Sequence, residues 1–182
     1  MSLLKKIKKN HEDKILAKAK LIEEKRALEQ QTKLQELEAR KKYVEELLNS
    51  PIEKDYIVML RHYIRDNNDI ILYGEYDYFL CPKICRDIRY GETITVIKIT
   101  GSNLGDKYKM YRPGFMGSLN VELLDRNGRY WEGNPLKDFY IPLDCATIRQ
   151  LNEYATAKNI ERKEKYEEKV AKTNQVREQF FK

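Results

Sequence analysis

Glycine and proline are confined to the middle of this chain, and that confinement constrains its fold more than any other feature. All eight glycines and all five prolines lie between Pro51 and Pro142, whereas residues 1–49 and 146–182 contain neither. Both residue types interrupt regular helices, so their absence permits long uninterrupted ones. The sequence therefore predicts three regions: a charged N-terminal helical arm (1–49), a folded head (50–145) and a C-terminal helical arm (146–182).

The excess positive charge of the chain lies on the arms. Residues 1–50 contain 13 Lys and Arg against 9 Asp and Glu, and residues 146–182 contain 9 against 6. The residues between them contain 13 against 14, so the head is close to neutral. A surface that holds a phosphate backbone is usually basic, so this distribution disfavours the head as a nucleic-acid-binding module.

The cysteine content and the hydropathy of the sequence indicate an intracellular protein. There are three cysteines, Cys81, Cys85 and Cys145, and the basic N-terminus is not followed by the apolar run of a secretory signal. No stretch approaches the ~20 apolar residues of a transmembrane helix. We expect a cytoplasmic protein or one incorporated into a virus particle. Abundant Lys, Ile, Asn and Tyr fit the AT-rich genomes that many viruses have.

The N-terminal arm is expected to be helical from Leu3 to Asn49, because Lys, Glu, Leu, Ala and Gln dominate it. Its apolar stripe is thin, and a helix that buries so little is marginal by itself. This arm therefore needs a neighbouring surface. The residues of the stripe are Ile15, Ala19, Ile22, Leu34, Leu37, Val44 and Leu48.

A second, capping helix is predicted where the first arm ends. Ser50, Pro51 and Glu53 have the spacing of a capping box with proline in the first turn. Apolar residues then recur with helical spacing as far as Arg65, and the polar run 66–69 ends the pattern. We expect this helix to pack on the head.

Short runs of β-branched and aromatic residues follow, separated by Gly, Pro, Asn and Asp. Residues 125–128, Asp-Arg-Asn-Gly, are a hairpin signal between two such runs. Five or six short strands favour a small SH3-like or OB-like β-barrel, and the whole chain is predicted to be α+β. The predicted strands are 70–73, 76–80, 93–100, 118–124, 129–131 and 139–141.

The two arms are predicted to pair as an antiparallel helical stalk. The final arm begins near Asp144, a natural cap, and facing apolar residues have numbers that sum to about 195, as in Ala19 with Val176. Strict heptads fail because charged residues occupy many seam positions, which disfavours a long two-stranded homodimer. Docking along another protein, a homo-oligomer and a solvated single helix remain alternatives.

The start of the first arm is a candidate anchor for an anion or a partner. Three apolar residues share one helical face and four lysines surround them, which suits nucleic acid, a phospholipid surface or a groove on a protein. A frayed terminus is the alternative. The anchor residues are Leu3, Leu4, Lys5, Lys6, Ile7, Lys8 and Lys9.

Aromatic residues are frequent in the head, and some of them are candidates for an exposed binding surface. Small barrels use such residues to bind peptides, modified side chains or bases, although simple packing in the core is the alternative. Tyr108, Tyr111, Arg112 and Phe115 lie in a predicted loop that carries Gly and Pro, and Tyr130 and Trp131 follow the hairpin signal. The candidate surface comprises Tyr108, Tyr111, Arg112, Phe115, Tyr130 and Trp131.

No catalytic residue, metal site or cofactor is predicted. Cys81 and Cys85 have the spacing of a metal knuckle, but zinc needs four ligands, and only Cys145, His11 and His62 could be added. Buried thiols are the better interpretation. The glycine-rich loops lack the Lys and Ser/Thr of phosphate-binding motifs, and no nucleophile has an assignable His partner. We therefore predict a protein that is not an enzyme.

The segment from Asn120 to Tyr140, which contains Gly133, resembles strands of SH3-like modules of the KOW or Tudor kind. The resemblance implies protein or nucleic-acid binding without catalysis. The sequence therefore favours a structural or adaptor protein whose helical arms dock into a larger assembly, such as a virus particle, while the barrel binds a second component. The alternative is a nucleic-acid-binding accessory protein that uses the lysine-rich N-terminus and barrel aromatics.

Overall fold

A computed structural model describes residues 3–68, 70–112, 119–123, 130–133 and 141–180. The chain divides into two compact units, Met1–Tyr43 and Val44–Lys182. The fold is α+β, with two long helices and a curled antiparallel sheet. None of the helices, over the part of the chain that is described, is long and apolar enough to cross a membrane.

The predicted helices of the two arms are confirmed. Helix α1 spans Leu3–Leu48 and helix α2 spans Ile148–Phe180. Helix α2 begins with a capping box, because Thr147 Oγ1 accepts from Gln150 N while Gln150 Oε1 accepts from the amides of Ala146 and Thr147. The cap is therefore Thr147 and not the predicted Asp144.

The predicted capping helix after Ser50 is wrong. Only a 3₁₀ turn forms, Lys54–Tyr56, and strand β1 follows at Ile57–Arg65. Both edges of β1 are hydrogen-bonded, since it pairs along its length with one strand and through Arg61 and His62 with another. This pairing overrides the local helical pattern. Instead of capping a helix, Ser50 donates its hydroxyl to Glu46 O at the end of α1.

The sheet is antiparallel throughout, with the strand order β1-β2-β3-β4-β5-β6. Strands β1 to β4 form the curled sheet, and strands β5 and β6 return from β4 to β1. Because each strand pairs with the next, the sequential order is that of a meander. The remaining strands are β2 (Ile71–Leu80), β3 (Thr93–Lys98), β4 (Lys107–Tyr111), β5 (Leu119–Leu123) and β6 (Tyr130–Gly133).

Several sequence-based strand assignments need correction. The runs predicted at 70–73 and 76–80 form one strand, β2, which continues through Gly74. Strand β4 was predicted as a loop. The predicted hairpin pairing of β5 with β6 is confirmed, but its turn at 125–128 lies outside the described residues. Residues 139 and 140, and most of the segment that resembles KOW and Tudor modules, also lie outside them.

Two clusters of buried side chains make up the core. Neighbouring residues of one strand contribute to different clusters, because successive side chains point to opposite faces of a sheet. Val58 and Phe79 belong to the first cluster, in which the Phe79 and Tyr108 rings pack edge to face at 5.6 Å. Ile57 and Tyr78 belong to the second, which also contains Leu47 of α1 and, from α2, Ile148, Leu151 and Ala155.

Candidate functional site

A polar cavity of about 210 Å³ lies between the sheet and helix α2. Strand β1 contributes His62 to it, strands β2 and β3 contribute charged side chains, and a loop after β3 and two turns of α2 complete the lining. Since the elements come from distant parts of the sequence, only the fold brings them together. The lining residues are His62, Glu75, Asp77, Lys98, Gly101, Ser102, Thr156, Asn159, Ile160 and Lys163.

A buried ion pair lies beside this cavity. Lys98 Nζ is 3.1 Å from Asp77 Oδ2, and both side chains are buried. Thr100 Oγ1 donates to Asp77 Oδ1 at 3.2 Å and accepts the amide hydrogen of Tyr78 at 2.8 Å. A buried charge is tolerated only when it is paired and hydrogen-bonded, and these contacts meet that requirement. The pair thus holds both charged groups in fixed positions.

Gly101 allows the backbone to approach this ion pair closely. Its φ of +64° lies in the left-handed region, and a Cβ atom there would lie 3.3 Å from Asp77 Oδ1. Its amide donates to Asn152 Oδ1 of α2 at 2.7 Å. Gly101 therefore connects the loop after β3 to the helix at a position where a side chain would crowd the carboxylate.

Asn159 joins α2 to the middle of strand β2. Its Oδ1 accepts from Tyr76 N and its Nδ2 donates to Tyr76 O, both at 2.9 Å, so the amide side chain mimics a neighbouring strand. Arg162 Nη1 also donates to Asn159 Oδ1, at 2.9 Å. Asn152 lies seven residues earlier on the same helical face. Asn159 thus fixes this half of α2 to β2, and Asn152 fixes it to the loop after β3.

Two guanidinium groups lie near one tyrosine ring at the same surface. The Cζ atoms of Arg61 and Arg162 are 4.9 Å and 4.3 Å from the centroid of the Tyr76 ring, within cation–π distance. Arg61 also lies 5.6 Å from the Tyr63 ring and donates hydrogen bonds to the hydroxyls of Tyr63 and Tyr76. Burial lowers the pKa of Arg61, but these hydrogen bonds more than offset it and raise the pKa overall. Arg61 is therefore a permanent cation.

Gly74 makes room for the Arg61 side chain, because a Cβ atom at Gly74 would lie 2.9 Å from Arg61 Cδ. Further along the surface, the rings of Tyr73 and Tyr166 pack with their centroids 5.5 Å apart. Burial, and then the charge of Glu75, raise the pKa of Tyr73. We call this half-buried group of Arg61, Arg162 and the four tyrosines 63, 73, 76 and 166 the arginine–tyrosine surface.

The chemistry of the cavity suits binding of a polar group. Glu75, Asp77, Lys98 and Lys163 balance in formal charge, and Asp77 and Lys98 neutralise each other directly. His62 and Ser102 also line the cavity, an association that the sequence does not reveal. Within the described ranges, no three His, Cys, Asp or Glu residues are grouped to hold a metal ion.

The predicted barrel surface is corrected at one position. Tyr108 is completely buried in the first core cluster and cannot be part of an exposed surface, because inward-facing residues alternate along β4. Tyr111 and Arg112 are half-buried, and Arg112 Nη1 donates to Ile88 O at 3.0 Å. Phe115 lies outside the described residues, and for Tyr130 and Trp131 only the backbone of β6 is described. Binding by these residues stays a prediction.

The predicted anchor lies within the backbone of helix α1, whose described range begins at Leu3. The side chains of residues 3–9 are not among those that the structure describes. Their role in binding an anion or a partner therefore also stays a prediction.

The residues of the cavity and of the arginine–tyrosine surface were largely missed from sequence. The signal for the asparagines was available, since Asn152 and Asn159 are two helical turns apart and on the side of α2 that carries Leu151 and Ala155. The contact between Asp77 and Lys98 had no local signal, because it depends on the β2–β3 pairing.

Comparison of the chain with family models, with curated proteins and with solved structures finds no match.

Proposed function

We propose that this protein is a non-enzymatic adaptor that docks into a larger assembly through its helical arms while the head binds a second component. The observation that supports it most is the exposure of α1 in the unit Met1–Tyr43. Residue 16 and every residue from 18 to 43 are exposed. Seven of them are large and apolar, with exposed fractions between 39 and 66%: Leu16, Leu21, Ile22, Leu28, Leu34, Leu37 and Tyr43.

Exposed apolar side chains on a long helix favour a binding role on energetic grounds. Complete burial of one such side chain contributes about 1.5–3 kcal/mol, so a partner that covers several of them gains affinity even after the costs of association. A helix that buries no apolar face gains little stability from tertiary packing. The N-terminal arm therefore suits a surface that another protein of the assembly, such as a virus particle, would cover.

The head is proposed to bind its own component through the cavity and the arginine–tyrosine surface. Both are held by the core and by α2, so they are preorganised before a ligand arrives. Tyr and Arg are enriched at the centres of protein interfaces, because they combine a large apolar area with directed hydrogen bonds. A protein segment that carries a carboxylate or a backbone carbonyl would match the guanidinium groups.

Affinity purification of the full chain from its native source tests the docking role of the arm. We expect a triple substitution, Leu28→Ser with Leu34→Ser and Leu37→Ser, to lose at least tenfold of the co-purifying partner that mass spectrometry identifies. A matched control replaces Gln30, Gln35 and Glu38 of the same helix by Ser and should retain the partner. Equal recovery with both variants, at equal helix content by circular dichroism, would contradict the proposal.

Two finer statements are also proposed. The barrel is of SH3-like or OB-like type, and the arms, as the alternative to being covered by a partner, pair with each other as an antiparallel stalk. The stalk predicts that Ala19→Cys and Val176→Cys form a disulfide within one chain, whereas Ala19→Cys and Ala171→Cys do not. If neither pair forms one in the monomer, the arms are available to a partner along their whole length. Preferential formation between chains would indicate a homo-oligomer.

A nucleic-acid-binding accessory protein is the second candidate, and the arginine–tyrosine surface favours it alongside the lysines of residues 5–9. Guanidinium and aromatic groups together bind bases and phosphates. Binding through several lysines should weaken steeply between 50 and 200 mM salt, following the general dependence on counterion release. Replacing Lys5, Lys6, Lys8 and Lys9 by Gln should abolish it. Binding that survives both changes would eliminate this candidate.

A further inference from the structure

Two thiols meet in the core at the end of strand β2. The Sγ atoms of Cys81 and Cys85 are 3.3 Å apart, and both residues belong to the first core cluster together with Phe79 and Ile88. Neither forms a disulfide in the structure. Since the S–S bond length is about 2.05 Å, a displacement of little more than 1 Å shared between two side chains would join them.

The backbone around these cysteines already holds the two thiols close together. Strand β2 ends at Leu80, the Cys81 amide donates to Tyr56 O at 2.6 Å, and a 3₁₀ turn begins at Cys85. The connecting residues 82–84 make a short loop, in which Lys83 Nζ contacts both carboxylate oxygens of Glu92 at 2.5 and 2.6 Å. The loop is thus tied at both ends and in its middle.

We propose that Cys81 and Cys85 form a reversible intramolecular disulfide, which makes this loop a site of redox modification. The reaction consumes one molecule of hydrogen peroxide. One of the two thiols, as its thiolate, attacks an oxygen of the peroxide and becomes a sulfenic acid, while the other oxygen leaves as hydroxide and takes up the proton that the thiol lost, which gives water. The second thiol then attacks the sulfenic sulfur and expels a second water. Two thiols lose two electrons and two protons, and the peroxide is reduced to two waters.

The two thiols share one hydrogen bond, in which Cys85 Sγ donates to Cys81 Sγ. This contact lowers the pKa of Cys85 against the opposing effect of burial. The same hydrogen bond, together with burial, raises the pKa of Cys81. Either sulfur can be the first nucleophile, because each lies at contact distance from the other. Cys145 lies in the second core cluster, so it is a natural internal control.

The inference is independent of the proposed adaptor role, because it depends only on the two thiols and their loop. Its consequence is local: an oxidised chain has a closed ring of five residues, 81–85, in contact with the core of the head. Reduction by a dithiol or by excess glutathione would reopen the ring.

Trypsin provides a direct test, because Lys83 lies between the two cysteines. Cleavage after Arg65, Lys83 and Arg86 gives the peptides 66–83 and 84–86, which each carry one cysteine. After treatment of the folded full chain with hydrogen peroxide and alkylation of the remaining thiols, we expect these peptides to be joined, with a mass 2 Da below the sum of the reduced pair. Dithiothreitol should release them.

The variants make the test specific. Cys145→Ser retains both thiols of the pair and should form the linked peptides to the same extent as the wild type, whereas Cys85→Ser should not form them. If Cys85→Ser fails to fold, the Cys145→Ser protein alone still decides the outcome. Recovery of 66–83 and 84–86 as separate alkylated or over-oxidised peptides from folded protein would overturn the proposal, as would a disulfide to Cys145 or between chains.

Discussion

The two halves of helix α2 continue one uninterrupted helix but have different surroundings. Over residues 148–166, the side chains of Ile148, Leu151 and Ala155 are buried, Asn159 bonds to strand β2, and Asn152 bonds to the loop after β3. Over residues 167–179, every side chain is exposed. Both halves are rich in residues of high helix propensity, so propensity does not separate them. The two halves differ because only the first contacts the sheet.

Formation of a helix and its attachment to the rest of the protein are therefore separate properties. Propensity and absence of Gly and Pro specify a helix over the whole length, whereas stability comes from the half that buries an apolar face. The same contrast occurs in α1, where Leu47 is buried in the second cluster but residues 18–43 are exposed. The exposed lengths are the parts of the helices that a partner would stabilise.

We call residues 148–166 the anchored half of α2. The largest loss of stability should come from breaking the buried ion pair of Asp77 and Lys98. Asp77→Ala removes the carboxylate that contacts Lys98 inside the protein, and breaking a buried pair costs about 3–5 kcal/mol. Urea unfolding of the variant measures this loss. The matched surface change, Lys165→Ala, removes the exposed contact to Glu161 and should leave the unfolding midpoint almost unchanged. Equal losses for both variants would show that Asp77 is not buried as described.

A matched pair of isoleucines separates the buried face of the anchored half from its exposed face. Ile148 is 1% exposed and Ile160 is 53% exposed. Ile148→Ala should lower the free energy of unfolding by about 2–5 kcal/mol, because it leaves a cavity in the second cluster. Ile160→Ala should change it by about 0.5 kcal/mol or less. Denaturant titrations with unchanged m values measure both, and a larger loss at Ile160 would contradict the contact.

A matched pair of asparagines compares the two halves directly. Asn159→Ala removes two hydrogen bonds to the backbone of Tyr76 and should cost about 1–2 kcal/mol. Asn174 lies in the exposed half, where alanine is the better helix former, so Asn174→Ala should be neutral or slightly stabilising. Thermal unfolding followed by circular dichroism measures the difference. A Tm for Asn159→Ala at or above that of Asn174→Ala would contradict a stabilising role for the hydrogen bonds between Asn159 and strand β2.

Sequence was a good guide to α1, α2 and the β5–β6 pairing, since those elements depend on local signals: missing breakers, helix formers and a turn motif. It failed where pairing decides the outcome. Residues 57–65 have apolar residues at helical spacing but form β1, because hydrogen bonding to strands on both sides outweighs the local preference. Strand β4 has the alternation of Lys with Tyr and Met that is typical of a half-buried strand, but the Gly and Pro residues near it favoured a loop.

The candidate site was less predictable than the fold for the same reason. The cavity combines residues of three strands, one loop and α2, and no short stretch of sequence contains more than four of its ten lining residues. Aromatic abundance was visible in the sequence, but it does not distinguish buried Tyr108 from half-buried Tyr76. That distinction depends on strand phase, which β4 and β2 acquire only through their neighbours.

The smallest expected effect is a change in the pKa of Glu161, an exposed residue in the anchored half. Lys158 Nζ and Lys165 Nζ lie 2.7 and 2.6 Å from the carboxylate of Glu161, and they lower the pKa of Glu161 from 4.5 to about 2. Because the folded-state pKa is the lower one, its contribution to stability is present above pH 4.5 and is lost as the pH falls towards 2. Carbon-13 NMR of the carboxyl group measures this pKa. Replacing both lysines by Gln should return it towards 4.5, and an unchanged value would contradict the ion-pair assignment.

Hydrogen–deuterium exchange of the isolated monomeric protein tests most directly whether the exposed segments of α1 and α2 lack stabilising contacts when no partner is bound. We expect the backbone amides over 148–166 to exchange slowly, because their exchange requires global unfolding. The amides over 18–43 and 167–179 should exchange at least a hundredfold faster. Protection of 18–43 equal to that of the anchored half, at a concentration where the protein is a monomer, would contradict it, because such a helix would need no further surface.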